Sequence, residues 1–309
     1  MGDLRTASDE QLAFRTRLLD AGLLTETGVA GVYARDARFE AIRQGFDRLV
    51  TRAAAPQRPE PLHFPPLLPR QQLETSGYLG SFPHLAGTVF GFEGGEREAA
   101  EQLELATRHQ DWSAYQRMSD LVLAPAACYA LYPAVAARGA LPPDGLTLDT
   151  GDAYVFRREP SSDPARMQIF HMREIVRVGE ADTVTDWRAR WRKRATTLLE
   201  GLGLQIEVEA ASDPFFGRTG RMLASAQREQ QLKWELTAPL AGGARTAIAS
   251  CNYHQDHFGL TYGIRTAAGA TAHTGCMAFG EERVVLALLA AHGLEPERWP
   301  AEIRDQLDL

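Results

Sequence analysis

The sequence predicts an α+β fold, an antiparallel β-sheet with helices around it, on three observations. Short β-type runs recur at 152–159, 167–179, 204–211, 233–240, 246–254 and 258–265, and turns rather than helices separate most of them. That excludes the strand–helix alternation of a doubly wound parallel sheet. Residues 7–55 instead carry helical spacing, with Leu12, Phe14, Leu18 and Leu19 in one stretch and Phe39, Ile42, Phe46, Leu49 and Val50 in a second. Between these regions Pro56, Pro59, Pro61, Pro65, Pro66 and Pro69 forbid helix and central strand alike, so an extended connection is expected. The expected division is an N-terminal helical segment, 1–58, and a larger domain, 59–309. Within the latter, 99–112 reads as a helix, and a basic helical insertion is expected at about 181–226.

Composition narrows the function classes. A chain of 309 residues with 44% hydrophobic content builds a sizeable core. The net charge of −7 opposes nucleic acid as the main partner, because phosphate binding needs an excess of Lys and Arg. Cys128, Cys251 and Cys276 are too few and scattered for a disulfide framework and fit a reducing compartment. The N-terminal MGDLRTASDEQL has no signal-peptide core, and no apolar window is long enough to span a bilayer, so a cytoplasmic protein is expected.

One basic helix stands out. In TDWRARWRKRATTLLEGLG, Thr185 or Asp186 is the expected N-cap and Gly201 the expected end. Trp187 and Trp191, at i and i+4, suit a buried side, while Arg188, Arg190, Arg192, Lys193 and Arg194 concentrate positive potential for an acidic partner.

Two local patterns carry chemistry. Phe156-Arg157-Arg158-Glu159, the loop 160–165, and the run from Arg166 and Met167 to Glu174 form an expected hairpin able to hold a nucleotide. Arg157 can fork a phosphate, and Glu159 can accept from an exocyclic amine. Taken alone, R-x-E mostly marks surface charge. The second pattern, Ala278-Phe279-Gly280-Glu281-Glu282-Arg283, is a glycine turn that feeds an arginine into the first turn of an apolar helix.

Together the two resemble motifs 2 and 3 of class II aminoacyl-tRNA synthetases, with Ala278 replacing the first glycine of motif 3. The resemblance implies that fold's catalytic core. It also implies that Arg157 holds the ATP α-phosphate, Glu159 the adenine amine and Arg283 the γ-phosphate, with Arg166 and Met167 on the loop side. Residues 246–252 are similar to the E-I-S-S-C-S strand of seryl-tRNA synthetases, so Ala247, Ile248, Ala249 and Ser250, with Lys233, are implied around the nucleotide. Ala247 stands where a magnesium-binding glutamate is usual, leaving Glu235 and Asp256 as acidic neighbours. Leu123–Cys128 falls where ordinary seryl enzymes have L-x-P-T-A-E, so a substrate-binding glutamate has become a thiol.

Methanogen-type seryl enzymes and amino acid:[carrier protein] ligases use a Cys, Glu, Cys zinc in the amino-acid pocket. By that resemblance Cys128, Glu174 and Cys276 are the implied metal and substrate-binding residues, a soft and anionic set that leaves zinc an open position. Cys251 is expected to pack, and His254 and His257, on opposite strand faces, are not expected to form a second metal site. The segment Thr75–Ala86, the run HFPPLLP and NYHQDHFG also look like the carrier-protein ligases, and the likeness covers roughly 60–295. No sustained heptads precede the proline run, so no tRNA-gripping arm is expected.

The resemblance therefore implies activation of glycine or alanine with ATP and Mg2+, giving an aminoacyl adenylate. Transfer then goes to the phosphopantetheine thiol of an acidic carrier protein, docked on Trp187 to Arg194. It implies a homodimer, with Pro65 near the interface, and neither tRNA nor membrane as partner. Two alternatives stay open: a truncated tRNA-charging enzyme, opposed by the net charge, and a catalytically silent regulatory paralogue, favoured by Ala247 but opposed by Arg157, Glu159 and Arg283.

Overall fold

The computed structural model describes residues 7–309; residues 1–6, on which the reading of the N-terminus partly rests, lie outside it. The chain forms α1 (Asp9–Asp20), β1 (Leu24–Glu26), β2 (Tyr33–Arg35), α2 (Ala37–Ala54), β3 (Glu60–Pro61), β4 (Leu67–Pro69), α3 (Arg70–Thr75) and α4 (Tyr78–Ser81). There follow β5 (Thr88–Phe92), α5 (Glu96–Thr107), β6 (Gln116–Leu123), α6 (Leu131–Ala136), β7 (Leu146–Phe156), β8 (Ile169–Gly179), α7 (Ala181–Gly201) and β9 (Glu207–Ala210). The last elements are α8 (Gly217–Glu229), β10 (Lys233–Pro239), β11 (Arg245–Gln255), α9 (His257–Tyr262), β12 (His273–Gly280), α10 (Glu281–His292) and α11 (Ala301–Leu307).

The expected antiparallel sheet is present. Among the described residues, seven strands run in the order β3-β7-β8-β12-β11-β10-β9, antiparallel throughout except for β3 beside β7 at one edge. Strand alternation sorts side chains onto two faces. Met277 and Phe279 of β12 turn with Ile175 and Cys251 toward a layer built by α2, α7 and α10. Cys276 and Ala278 turn the other way, with Val176, Val178, Tyr132 and Phe258. The N-terminal helices belong to the first layer: Phe14, Phe39, Ile42 and Phe46 are buried there, and the Phe46 ring meets Phe279 edge-on at 5.5 Å.

Several expectations are corrected. Within 258–265, where a strand is expected, the chain instead forms most of the helix α9, which ends at Tyr262. Gln255, at φ 54°, ends β11 first, and Gly259 lies where a Cβ would fall 2.0 Å from the Ala272 carbonyl oxygen. Helix α7 starts at Ala181 with Glu180 as N-cap, four residues before Thr185. Thr185 Oγ1 bonds back to the Ala181 carbonyl at 3.1 Å instead of capping, a use open to threonine inside a helix. β12 escaped the sequence reading because it is buried on both faces and shows no period of two. The β1–β2 hairpin and the separate three-stranded sheet β4-β6-β5 were likewise not expected. Among the described residues, no helix is long and apolar enough to cross a membrane.

Candidate active site

A cavity of about 670 Å³ opens on the sheet face opposite the helical layer. Its floor is β8, β11 and β12, and the segment from Asp213 to Gln230, which includes α8, walls one side. β11 carries a bulge here: Leu236 pairs with Ala249 and Thr237 with Ala247, so Ile248 is the unpaired extra residue. Bulges re-aim backbone beside sites, and the Ala247 carbonyl is turned to accept from Arg283.

Arg157 follows the last residue of β7. Its Nε donates to the Pro125 carbonyl at 3.1 Å and its guanidinium lies 5.7 Å from the Phe170 ring centre, which fixes the plane. Arg283, in the first turn of α10, donates through Nε to Ala165 O at 2.7 Å and through Nη1 to Ala247 O at 3.0 Å. Burial, and then the charges of Arg166 and Arg157, pull its pKa down against Glu159 and Glu235. An arginine keeps its proton nonetheless, so the cluster holds positive charge that an anion in the cavity would relieve.

Both of these arginines line the cavity, as do Lys233, Ala247, Ile248, Ala249, Ser250, Cys128, Glu174 and Cys276. Glu159, Arg166 and Met167 are not on its wall. Arg166 Nη1 pairs with Glu159 Oε2 at 3.0 Å, and Met167 is buried in the core of the helical layer. Lys233 Nζ reaches Asp213 at 2.6 Å and Glu235 at 3.0 Å. Burial would lower the Lys233 pKa, yet these carboxylates raise it overall, and Lys233 likewise leads the charges that hold Asp213 down against its burial. Of the two acidic neighbours of Ala247, Glu235 lines the cavity and Asp256 does not. Sequence reasoning missed Asp213, a lone acid in a loop, and Asn252, whose amide donates to Cys276 Sγ at 3.3 Å. Only the alternation along β11 could have pointed to Asn252.

The three implied zinc ligands converge from separate elements. Cys128 sits in a short 3-10 turn, Glu174 on β8 and Cys276 on β12, all buried, and Glu174 Oε2 accepts the Cys128 backbone N–H at 2.7 Å. The Cys128 thiol is pushed well up by its hydrogen bond with Cys276, by burial and by Glu174. Cys276 is also raised: Cys128 pulls it down, but burial and Glu174 prevail. Among the described residues no group of three or more His, Cys, Asp or Glu side chains is arranged to hold a metal ion, so these donors meet without a preformed coordination shell.

His254 lies 3.8 Å from Cys276 Sγ and meets Thr274 Oγ1 at 3.0 Å, while His257, at the start of α9, meets the Ser76 carbonyl at 3.2 Å. Burial lowers the His254 pKa to about 4, keeping the ring neutral. Cys251 packs as expected: it is buried on the helical face, Sγ to Arg188 O at 3.4 Å, and burial pushes its pKa up to about 12.

The basic helix α7 lies on the helical face. Trp187 and Trp191 are its buried side, each donating Nε1 to Gln57 Oε1 at 2.9 Å. Arg188 donates to the Gln231 and Leu232 carbonyls, and Arg192 stacks 4.4 Å from the Trp234 ring centre. Arg190, Lys193 and Arg194 instead line, with Arg52, a groove of about 680 Å³ between α2 and α7.

No family model matches the chain. It is 48% identical over 288 residues to amino acid–[acyl-carrier-protein] ligase 1 of Bradyrhizobium diazoefficiens, covering 93% of this chain and 88% of that protein. It is 45% identical to ligase 2 of the same organism, covering 94% and 87%. A type-2 serine–tRNA ligase of Methanopyrus kandleri is 28% identical over 88% of this chain, which spans 55% of that protein. Among solved structures, the M. kandleri seryl-tRNA synthetase superposes with a TM-score of 0.81 at 22% identity, covering all of this chain and 62% of that one. The Pyrococcus horikoshii seryl-tRNA synthetase complexed with ATP gives 0.68 at 18% identity, over 96% and 62%. The fold is thus that of the class II synthetase core.

Proposed function

The chain belongs to the amino acid–[acyl-carrier-protein] ligase family, and on that premise we propose that it activates a small amino acid, glycine or alanine, and passes it to a carrier-protein thiol. The observation that carries this reading is the pair Arg157 and Arg283, both on the wall of one cavity with guanidinium groups pinned by backbone carbonyls. In the first step the substrate carboxylate attacks the α-phosphorus of Mg2+-bound ATP. The bond to the β-phosphate oxygen breaks, and pyrophosphate leaves. Arg157 neutralises charge growing at the α-phosphate and Arg283 at the γ-phosphate, each already oriented before reaction. In the second step the phosphopantetheine thiolate attacks the acyl carbon and AMP leaves, which needs no dedicated base in the protein.

Zinc is part of the proposal, held by Cys128, Glu174 and Cys276. Two thiols and a carboxylate in one buried cluster support it, being donors suited to this ion. When bound, zinc supplies a Lewis-acid grip on the substrate amino group. We also place carrier-protein docking on α7, a homodimer with Pro65 near its interface, and the 58/59 division, with the first part capping the core of the second. Ala247, in place of an acidic residue, favours one competitor, a silent regulatory paralogue.

Amino-acid-dependent exchange of pyrophosphate into ATP tests the first step: exchange with glycine or alanine is expected, and none with any amino acid leaves only the silent paralogue. Offering the labelled adenylate to holo carrier protein and to tRNA then tests the acceptor, with label expected on the carrier alone.

A further inference from the structure

We propose that the N-terminal segment positions the nucleotide-gripping arginine: Arg43 of α2 and Arg35 of β2 hold Glu281 and Glu282, and so fix the turn of α10 that carries Arg283. The inference rests on reading the cavity as an ATP site.

Glu281 and Glu282 are the first two residues of α10 and are both buried, immediately before Arg283. Carboxylates there suit the positive end of the helix dipole, but burial demands a fixed cation as well. Arg43 Nη1 is 2.6 Å from Glu281 Oε2, and the other oxygen, Oε1, has no hydrogen-bond partner among the described residues. Arg43 is braced in turn by Glu40 at 2.8 Å and Asp152 at 3.1 Å. Glu282 is gripped from two sides. Its Oε2 accepts the His171 backbone N–H at 2.7 Å, and its Oε1 meets His171 Nδ1 at 2.7 Å and the Arg35 guanidinium. Arg35 also pairs with Glu40 at 2.6 Å and donates to the Tyr154 hydroxyl at 2.9 Å.

Neither Arg35 nor Arg43 lines the cavity. They are positioning residues, acting through Arg283. Burying ion pairs is a poor way to gain stability, since apolar replacements of similar shape are often as stable. What such a network provides here is a defined place for the helix start, and displacements of an ångström at a phosphate-binding group matter. The sequence places these cations in a segment ahead of the proline run, so the site depends on chain far from its motifs.

The full-length chain carries the test. The neutral double variant Arg43→Met with Glu281→Gln removes the tether without stranding a charge, and Arg43→Lys preserves it. ATP binding is measured by calorimetry, and KM values by pyrophosphate exchange. The double variant is expected to weaken ATP binding about tenfold, with the amino-acid KM within about twofold of wild type and Arg43→Lys close to wild type. Unchanged ATP affinity, or equal weakening for both substrates, overturns the proposal. If the double variant does not fold, Arg35→Gln at the partly exposed end is read against the same outcomes. A wild-type chain that binds ATP but exchanges with no amino acid defeats the proposed function while leaving the positioning measurable. One that does not bind ATP defeats both.

Discussion

Among the described residues Arg157 makes one side-chain hydrogen bond, to a neutral carbonyl, so removing it is expected to cost the fold little. Arg157→Ala is expected to lower adenylate formation by about 10²–10³-fold, the scale of losing one preorganised donor, with the melting temperature little changed. Steady-state exchange alongside thermal melting checks it. Cys128→Ser and Cys276→Ser are expected to lose bound zinc and activation together; a variant that keeps full zinc content by elemental analysis breaks the ligand assignment. At this scale two short motifs predict Arg157 and Arg283 in one pocket, and both line the cavity. The sequence was silent on Asp213, whose place beside Lys233 depends on how the loop before α8 folds back across β10. Nor could it show that Glu159 and Arg166 pair with each other beside the cavity rather than on its wall.

Helix α7 separates packing from charge along one element. Trp191 is fully buried, so Trp191→Ala is expected to cost about 3–5 kcal/mol in denaturant unfolding. Arg190 and Arg194 line the α2–α7 groove, whereas Arg188 and Arg192 are engaged by carbonyls and rings. Reversing charge at Arg190 and Arg194 is expected to slow thiol transfer and spare adenylation. Equal transfer rates move docking elsewhere, since α7 and the cavity lie on opposite faces of the sheet and a pantetheine arm from α7 has to round its edge. The tryptophan side of α7 was legible because i, i+4 spacing is local. Its N-terminus was not, because a buried Val184 carries the helix past the capping residues the sequence offered. The same limit applies to α9, where aromatic spacing suits a strand but Phe258 stacks on Tyr132 at 3.9 Å across the core.

At the level of the whole molecule, one sheet divides two tasks. Its helical face holds the larger hydrophobic cluster, including the N-terminal helices, and its other face holds a smaller cluster and the cavity. The antiparallel character was readable from turn-separated strands. The strand order was not, because β12 pairs not only with β11, its neighbour along the chain, but also with the distant β8. This arrangement brings the two motif arginines, far apart in sequence, to one opening. The most direct measurement is a crystal structure with a non-hydrolysable ATP analogue and Mg2+. The triphosphate is expected between Arg157 and Arg283, its α-phosphate toward the Cys128, Glu174 and Cys276 cluster. A nucleotide bound elsewhere, or these guanidinium groups turned away from its phosphates, would contradict it.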